Sequence, residues 1–107
     1  MNAFRAVINE PSSRRRTASF IFMHGSGGTG TELRNYIRDT LNYDFSFPHM
    51  RVIFPTAPML PYTLLGGSPC NVWFDRDSLE PAGTECLSSV DSMALQLKKV
   101  VQAEIDS

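Results

Sequence analysis

The residues of this chain best placed to do chemistry are the seven from His24 to Gly30, which read His-Gly-Ser-Gly-Gly-Thr-Gly. They follow an unbroken apolar run, Ala18 to Met23, and precede a segment with helical spacing. A glycine turn between the end of a strand and the start of a helix directs several amide N–H groups at one place, where the helix dipole adds about half a positive charge. An anion belongs at such a turn. The local pattern alone does not separate a nucleotide phosphate from a transient oxyanion.

The surrounding residues bear on that choice. Gly25, Gly27 and Gly30 spell the GxGxxG of a dinucleotide site, which calls for an acidic residue about 20 positions further on, at the tip of the next strand. That tip is Phe54-Pro55-Thr56, with no carboxylate. Gly25 and Gly30 also satisfy the GxxxxG of a P-loop, but Thr31 and Glu32 stand where Lys and Ser/Thr are required, and a glutamate there repels phosphate. Both nucleotide readings are therefore weak. A nucleophile elbow, GxSxG, has only a near match in Gly66-Gly67-Ser68-Pro69-Cys70. An elbow needs a strand before the serine and a helix after it, and Ser68 is expected to have neither.

The elements that must position the glycine turn follow from apolar spacing. Phe4 to Ile8 is a short apolar run that ends at Asn9-Glu10-Pro11, which suits a strand entering a turn. Ala18 to Met23 predicts a strand buried on both faces, and the first two strands are expected to pair as an antiparallel hairpin. Residues 31–41 place Leu33, Tyr36, Ile37 and Leu41 on one helical face, with Thr29 or Thr31 as cap and Glu32 at the positive end. Met50 to Phe54 is the next strand, stopped by Pro55. Strand, helix, strand at this spacing is a βαβ unit with a parallel sheet. From Pro55 to about Gly83 the chain is too apolar for a disordered linker and too broken by proline and glycine for a regular element, so a lid-like binding loop is expected over residues 55–83. Residues 85–105 place Leu87, Val90, Met93, Ala94, Leu97, Val101 and Ile105 on one stripe of an amphipathic helix.

Composition narrows the function classes. A length of 107 residues with 42% hydrophobic residues suits one globular domain. The formal net charge of -1 divides into an excess of arginine up to Arg51 and an excess of acid after it, and neither half resembles a nucleic-acid footprint. The one basic run, Arg14 to Arg16, beside Pro11-Ser12-Ser13, reads as a solvated turn. Cys70 and Cys86 have neither the spacing nor the histidine partners of a metal site and read as free thiols, so no metal and no cofactor are expected. No run is long enough to span a membrane, and the N-terminus lacks a signal pattern. A cytoplasmic setting follows as the expectation.

Three motifs in order, FIFMHGSGGTG (Phe20 to Gly30), VIFPTAP (Val52 to Pro58) and NVWFD (Asn71 to Asp75), resemble the acyl-protein thioesterase and carboxylesterase family of α/β-hydrolases. The resemblance covers nearly the whole chain. It implies an α/β fold, the N-terminal half of an α/β-hydrolase with a short antiparallel hairpin followed by parallel strands and crossover helices. It implies a serine hydrolase acting on acyl thioesters of lipidated proteins or on small carboxylic esters.

By the same resemblance, the backbone N–H of Ser26 is one oxyanion donor, Gly27 beside it is a substrate-binding residue, and the Ser26 side chain is not the nucleophile. Leu64, Leu65 and Trp73 correspond to the cover of the acyl pocket, Phe74 and Asp75 to the structural landmark beside it, and His24 and Gly25 to the residues that position the loop. In this fold the catalytic order is Ser, acid, His, yet His24 and His49 both precede Asp75, so no internal triad is expected. His49, after Pro48, reads as an exposed turn histidine. The family's GFSxGG elbow has no counterpart in the 107 residues, and the chain is expected to be inactive alone.

Overall fold

The computed structural model describes residues 4–13, 16–76 and 87–106. Arg14, Arg15, Glu85, Cys86 and the end of the expected lid-like loop, residues 77–83, lie outside the described residues. The chain forms two compact units, one over Phe4–Ala57 and a second beginning at Pro58.

In the first unit, β1 (Arg5–Asn9), β2 (Ala18–Ile21) and β3 (Met50–Thr56) form a sheet in the order β1-β3-β2. The βαβ unit is present: β2 pairs with β3 in parallel, from Ala18 opposite Met50 to Ile21 opposite Ile53, and helix α1 (Gly30–Leu41) connects them. The expected hairpin is not. β1 runs antiparallel to β3, with Val7 opposite Phe54, and β3 separates it from β2. The reason lies in the apolar runs. Val52, Ile53 and Phe54 are all buried, which only the central position allows. The expectation of burial on both faces therefore belongs to β3 and fails for β2, whose Ala18, Ser19 and Phe20 are exposed at the edge.

Strand β3 also continues through Pro55, where a stop was expected. The Ile53 carbonyl accepts from the Phe22 amide at 2.9 Å. Two residues on, Pro55 lacks the N–H that the Phe22 carbonyl would take next, so the pairing with β2 ends there while β3 continues against β1. Around this end of the sheet, Phe20, Phe22, Phe45, Phe47 and Phe54 form a chain of ring contacts, with Phe22 stacked on Phe54 at 6.0 Å.

Helix α1 is capped by Thr29, whose hydroxyl accepts from the Glu32 amide at 3.1 Å, and it ends at Asn42 in the left-handed conformation. Its expected inner face is only half realised. Leu33 and Ile37 are partly buried, while Tyr36 and Leu41 are exposed.

In the second unit the expected irregular loop contains a hairpin: β4 (Met59–Tyr62), a 3₁₀ turn over Thr63–Leu65, and β5 (Ser68–Asn71). Pro61 and Pro69 sit directly opposite each other. Neither has an N–H, so this must be a position where the two strands exchange no hydrogen bonds, and the prolines fit it without loss. That pairing is what proline content hid from the sequence. Ser68, expected in a loop, opens β5. After the hairpin, Val72 and Trp73 are buried. Helix α2 (Leu87–Asp106) turns inward Val90, Met93, Leu97 and Val100, of which Met93 is fully buried. Four members of the expected stripe, Leu87, Ala94, Val101 and Ile105, are exposed, because this helix carries apolar residues on more than one face.

Candidate functional site

The glycine turn lies in the first unit, between β2 and α1. Gly25 to Gly28 close a β-turn in which the Gly28 amide bonds the Gly25 carbonyl at 3.2 Å. Ser26 and Gly27 occupy its two central positions and are exposed. Gly27 has φ 85°, the left-handed value that the third residue of a type II turn requires and that glycine takes without strain.

His24 holds this turn from beneath. Its side chain is buried at 5% exposure, and Nε2 accepts the Ala57 amide at 2.9 Å. An acceptor at Nε2 puts the proton on Nδ1, which donates to the Gly25 carbonyl at 2.5 Å. The neutral ring thereby ties the loop after β2 to the loop after β3. With Nε2 occupied, His24 has no lone pair to offer as a general base to Ser26.

The rest of the loop is consumed by packing. The Gly30 amide donates to the Thr56 hydroxyl at 2.9 Å, and a Cβ at Gly30 would run into the Phe54 carbonyl. Thr29 takes the Glu32 amide. The Gly30 and Glu32 amides at the helix N-terminus are thus taken by Thr56 and Thr29, which leaves fewer donors for the phosphate that both nucleotide readings need. The anion site drawn from the sequence contracts to the turn itself. Thr56 and Ala57 were not singled out in the sequence; the signal for Thr56 was Gly30, since a glycine opening a helix after a strand marks close helix–strand approach.

The second unit holds the other expected residues. Leu64 and Leu65 lie on the 3₁₀ turn, Leu65 with half its surface exposed and Leu64 partly buried. Trp73 is buried. Phe74 carries the Arg76 guanidinium over its ring at 5.1 Å. Asp75 is engaged at both carboxylate oxygens. Oδ2 accepts the Thr63 hydroxyl at 2.6 Å, while Oδ1 accepts the Thr63 and Arg76 amides, each at 2.9 Å. These bonds, that of the Thr63 hydroxyl first, hold its carboxyl below the usual carboxylate range. Thr63 and Ser89, which accepts the Asp75 amide at 2.8 Å, carried no sequence signal. The three donors to this carboxylate come from Thr63 and Arg76, and none of them is a histidine. His49 is exposed, and its carbonyl takes the Thr17 and Ala18 amides at the start of β2. Ser68 opens a strand of the hairpin, which is not the strand–helix setting of an elbow.

With this geometry in place, comparison with known proteins is informative. The sequence profile of the phospholipase/carboxylesterase family matches residues 4–107. The chain belongs to the phospholipase/carboxylesterase family. It is 45% identical over 91 residues to lysophospholipase-like protein 1 of Mus musculus, covering 85% of this chain and 38% of that protein. It is 33% identical over 101 residues to acyl-protein thioesterase 1 of Mycosarcoma maydis, covering 94% of this chain and 42% of that protein. Among solved structures, Zea mays acyl-protein thioesterase 2 superposes with a TM-score of 0.74 at 28% identity, covering 92% of this chain and 40% of that one. This phospholipase/carboxylesterase chain therefore has an α/β-hydrolase fold and spans about two-fifths of the length of the relatives it matches. Among its described residues, no helix is long and apolar enough to cross a membrane.

Proposed function

We propose that this chain supplies the oxyanion turn and part of the acyl-pocket wall of an ester or thioester hydrolase. The observation that carries this reading is the Gly25–Gly28 turn, which presents the Ser26 and Gly27 backbone at the surface while buried His24 fixes it from below. The Ser26 amide is the oxyanion donor. A donor of this kind is worth roughly 10² to 10³ in rate once a nucleophile generates the oxyanion. Leu64, Leu65 and Trp73 form the apolar surface that receives the acyl chain, and the substrate class is an acylated protein or a small acyl ester or thioester. The free thiol of Cys70 supports a cytoplasmic setting.

The polypeptide of 107 residues, assayed alone, is proposed to be without hydrolytic activity. It has no GxSxG motif, the His24 ring nitrogens are both engaged, and Asp75 is committed to Thr63. Incubation with a fluorophosphonate probe and a short acyl thioester is expected to give neither covalent labelling nor thiol release. Labelling of any serine overturns the inactivity. A second reading, a non-catalytic product that binds acylated partners, is favoured by the exposure of Leu65. Binding of an acylated peptide that is lost in Leu65→Asp supports it.

A further inference from the structure

Leu64 and Leu65 sit on a turn too short to hold itself. A 3₁₀ segment of three residues makes few internal bonds, and its first amides need acceptors from outside. Tyr62, at the capping position, supplies no side-chain oxygen. The closing bonds, from the Gly66 amide to the Thr63 carbonyl at 3.0 Å and from the Gly67 amide to the Tyr62 carbonyl at 2.9 Å, secure only the far end. The near end is secured by Asp75, twelve residues away in sequence, which takes both the amide and the hydroxyl of Thr63. Asp75 does not float with the turn: its own amide is held by Ser89 of α2. The chain Thr63–Asp75–Ser89 thus runs from the leucine turn to a helix of twenty residues.

We propose that Asp75 is a positioning residue that caps the Leu64–Leu65 turn from a distance and, by fixing the angle at which Leu65 is presented, sets which acyl chains this surface accepts. The inference rests on the reading of Leu64 and Leu65 as an acyl-binding surface. Both bonds are charge-assisted, the stronger kind for an exposed site. Loosening them frees the two leucines to turn with the backbone, so the apolar surface stops discriminating before it stops being apolar.

The test compares the 107-residue chain with Asp75→Asn, Thr63→Val and Thr63→Ser. Two fluorescent peptides, one S-octanoylated and one S-hexadecanoylated, give binding constants, and hydrogen exchange reports the Thr63 amide. In Asp75→Asn and Thr63→Val the amide is expected to exchange at least tenfold faster, and the ratio of the two binding constants to shift at least threefold. Thr63→Ser, which keeps the hydroxyl, is expected to match the parent chain in both. An unchanged ratio alongside faster exchange overturns the selectivity role, and unchanged exchange overturns the cap. Should Asp75→Asn fail to fold, the two Thr63 variants carry the same comparison. Failure of the unsubstituted chain to bind either peptide removes the acyl-surface reading, and this inference with it, and is told apart because it appears before any substitution is made.

Discussion

Two glycine-containing turns in this chain are each held by one side chain from outside, and they are held differently. The Gly25–Gly28 turn rests on His24, a buried neutral ring whose two nitrogens join the loops that follow β2 and β3. The Thr63–Gly67 turn rests on Asp75, an ionised carboxylate whose bonds to Thr63 are exposed. The helix start two residues past the first turn is set against the central strand so closely that Gly30 has no room for a methyl group, whereas a Cβ at Gly25, Gly66 or Gly67 meets nothing. The first turn is tied into the sheet through a buried ring. The leucine turn is tied at its two ends by exposed bonds, so its anchor can be changed without touching the core.

Substitutions can break this contrast, beginning with the largest effect. Gly30→Ala forces the helix start away from the Phe54 carbonyl and is expected to cost about 3 kcal/mol in urea unfolding, the upper range for overpacking. A loss under about 0.5 kcal/mol means the first turn is not set rigidly on β3. His24→Phe keeps an aromatic ring but takes the acceptor from the buried Ala57 amide, with an expected loss of about 1–3 kcal/mol. His24→Gln is the matching control, since an amide oxygen can accept the same bond. Gly67→Ala meets open space and carries only the penalty of φ 87°, about 1 kcal/mol by the same unfolding measurement. If Gly67→Ala proves as damaging as Gly30→Ala, the two turns are equally embedded and the contrast fails.

The smallest effect is a pH dependence confined to the second turn. The carboxyl of Asp75 is held below its unfolded value of about 4 by the Thr63 hydroxyl first, then by the Thr63 and Arg76 amides. A depressed folded value means the bonds contribute fully above about pH 4 and are lost as pH falls through the lowered folded value. Protection of the Thr63 amide is therefore expected to hold down to about pH 4 and to fade below it. In Asp75→Asn that acid-dependent fading should vanish, and its persistence would assign it to another group.

The sequence made the first turn legible because its determinants are local. The apolar run before His24, the glycines, and Thr29 three residues before Glu32 all lie within fifteen residues, and they yielded the strand–turn–helix and one of the two cap candidates. What could not be read was non-local. The partner of β1 is set by which strand is most completely buried, a comparison among all strands that favours Val52–Phe54. Thr56 at the Gly30 amide and Ser89 at the Asp75 amide are joined across 26 and 14 residues by nothing but the fold. In α2 the expected stripe kept Val90, Met93 and Leu97 but also took in the exposed Leu87, Ala94, Val101 and Ile105 and missed Val100, because apolar residues lie on more than one face of this helix. The hairpin of β4 and β5 was hidden because its prolines argue against a strand until their partners are known.

Those facing prolines have a consequence for the turn between them. If one strand slipped by a single residue against the other, a pyrrolidine ring would fall where the ladder needs a donor. A slip of one residue in either direction therefore costs a ladder bond at one proline or the other. Pro61 and Pro69 act as a detent: they let the hairpin close at one setting, and that setting fixes the connecting stretch at five residues. The length of the leucine turn is thus determined before either leucine makes a contact.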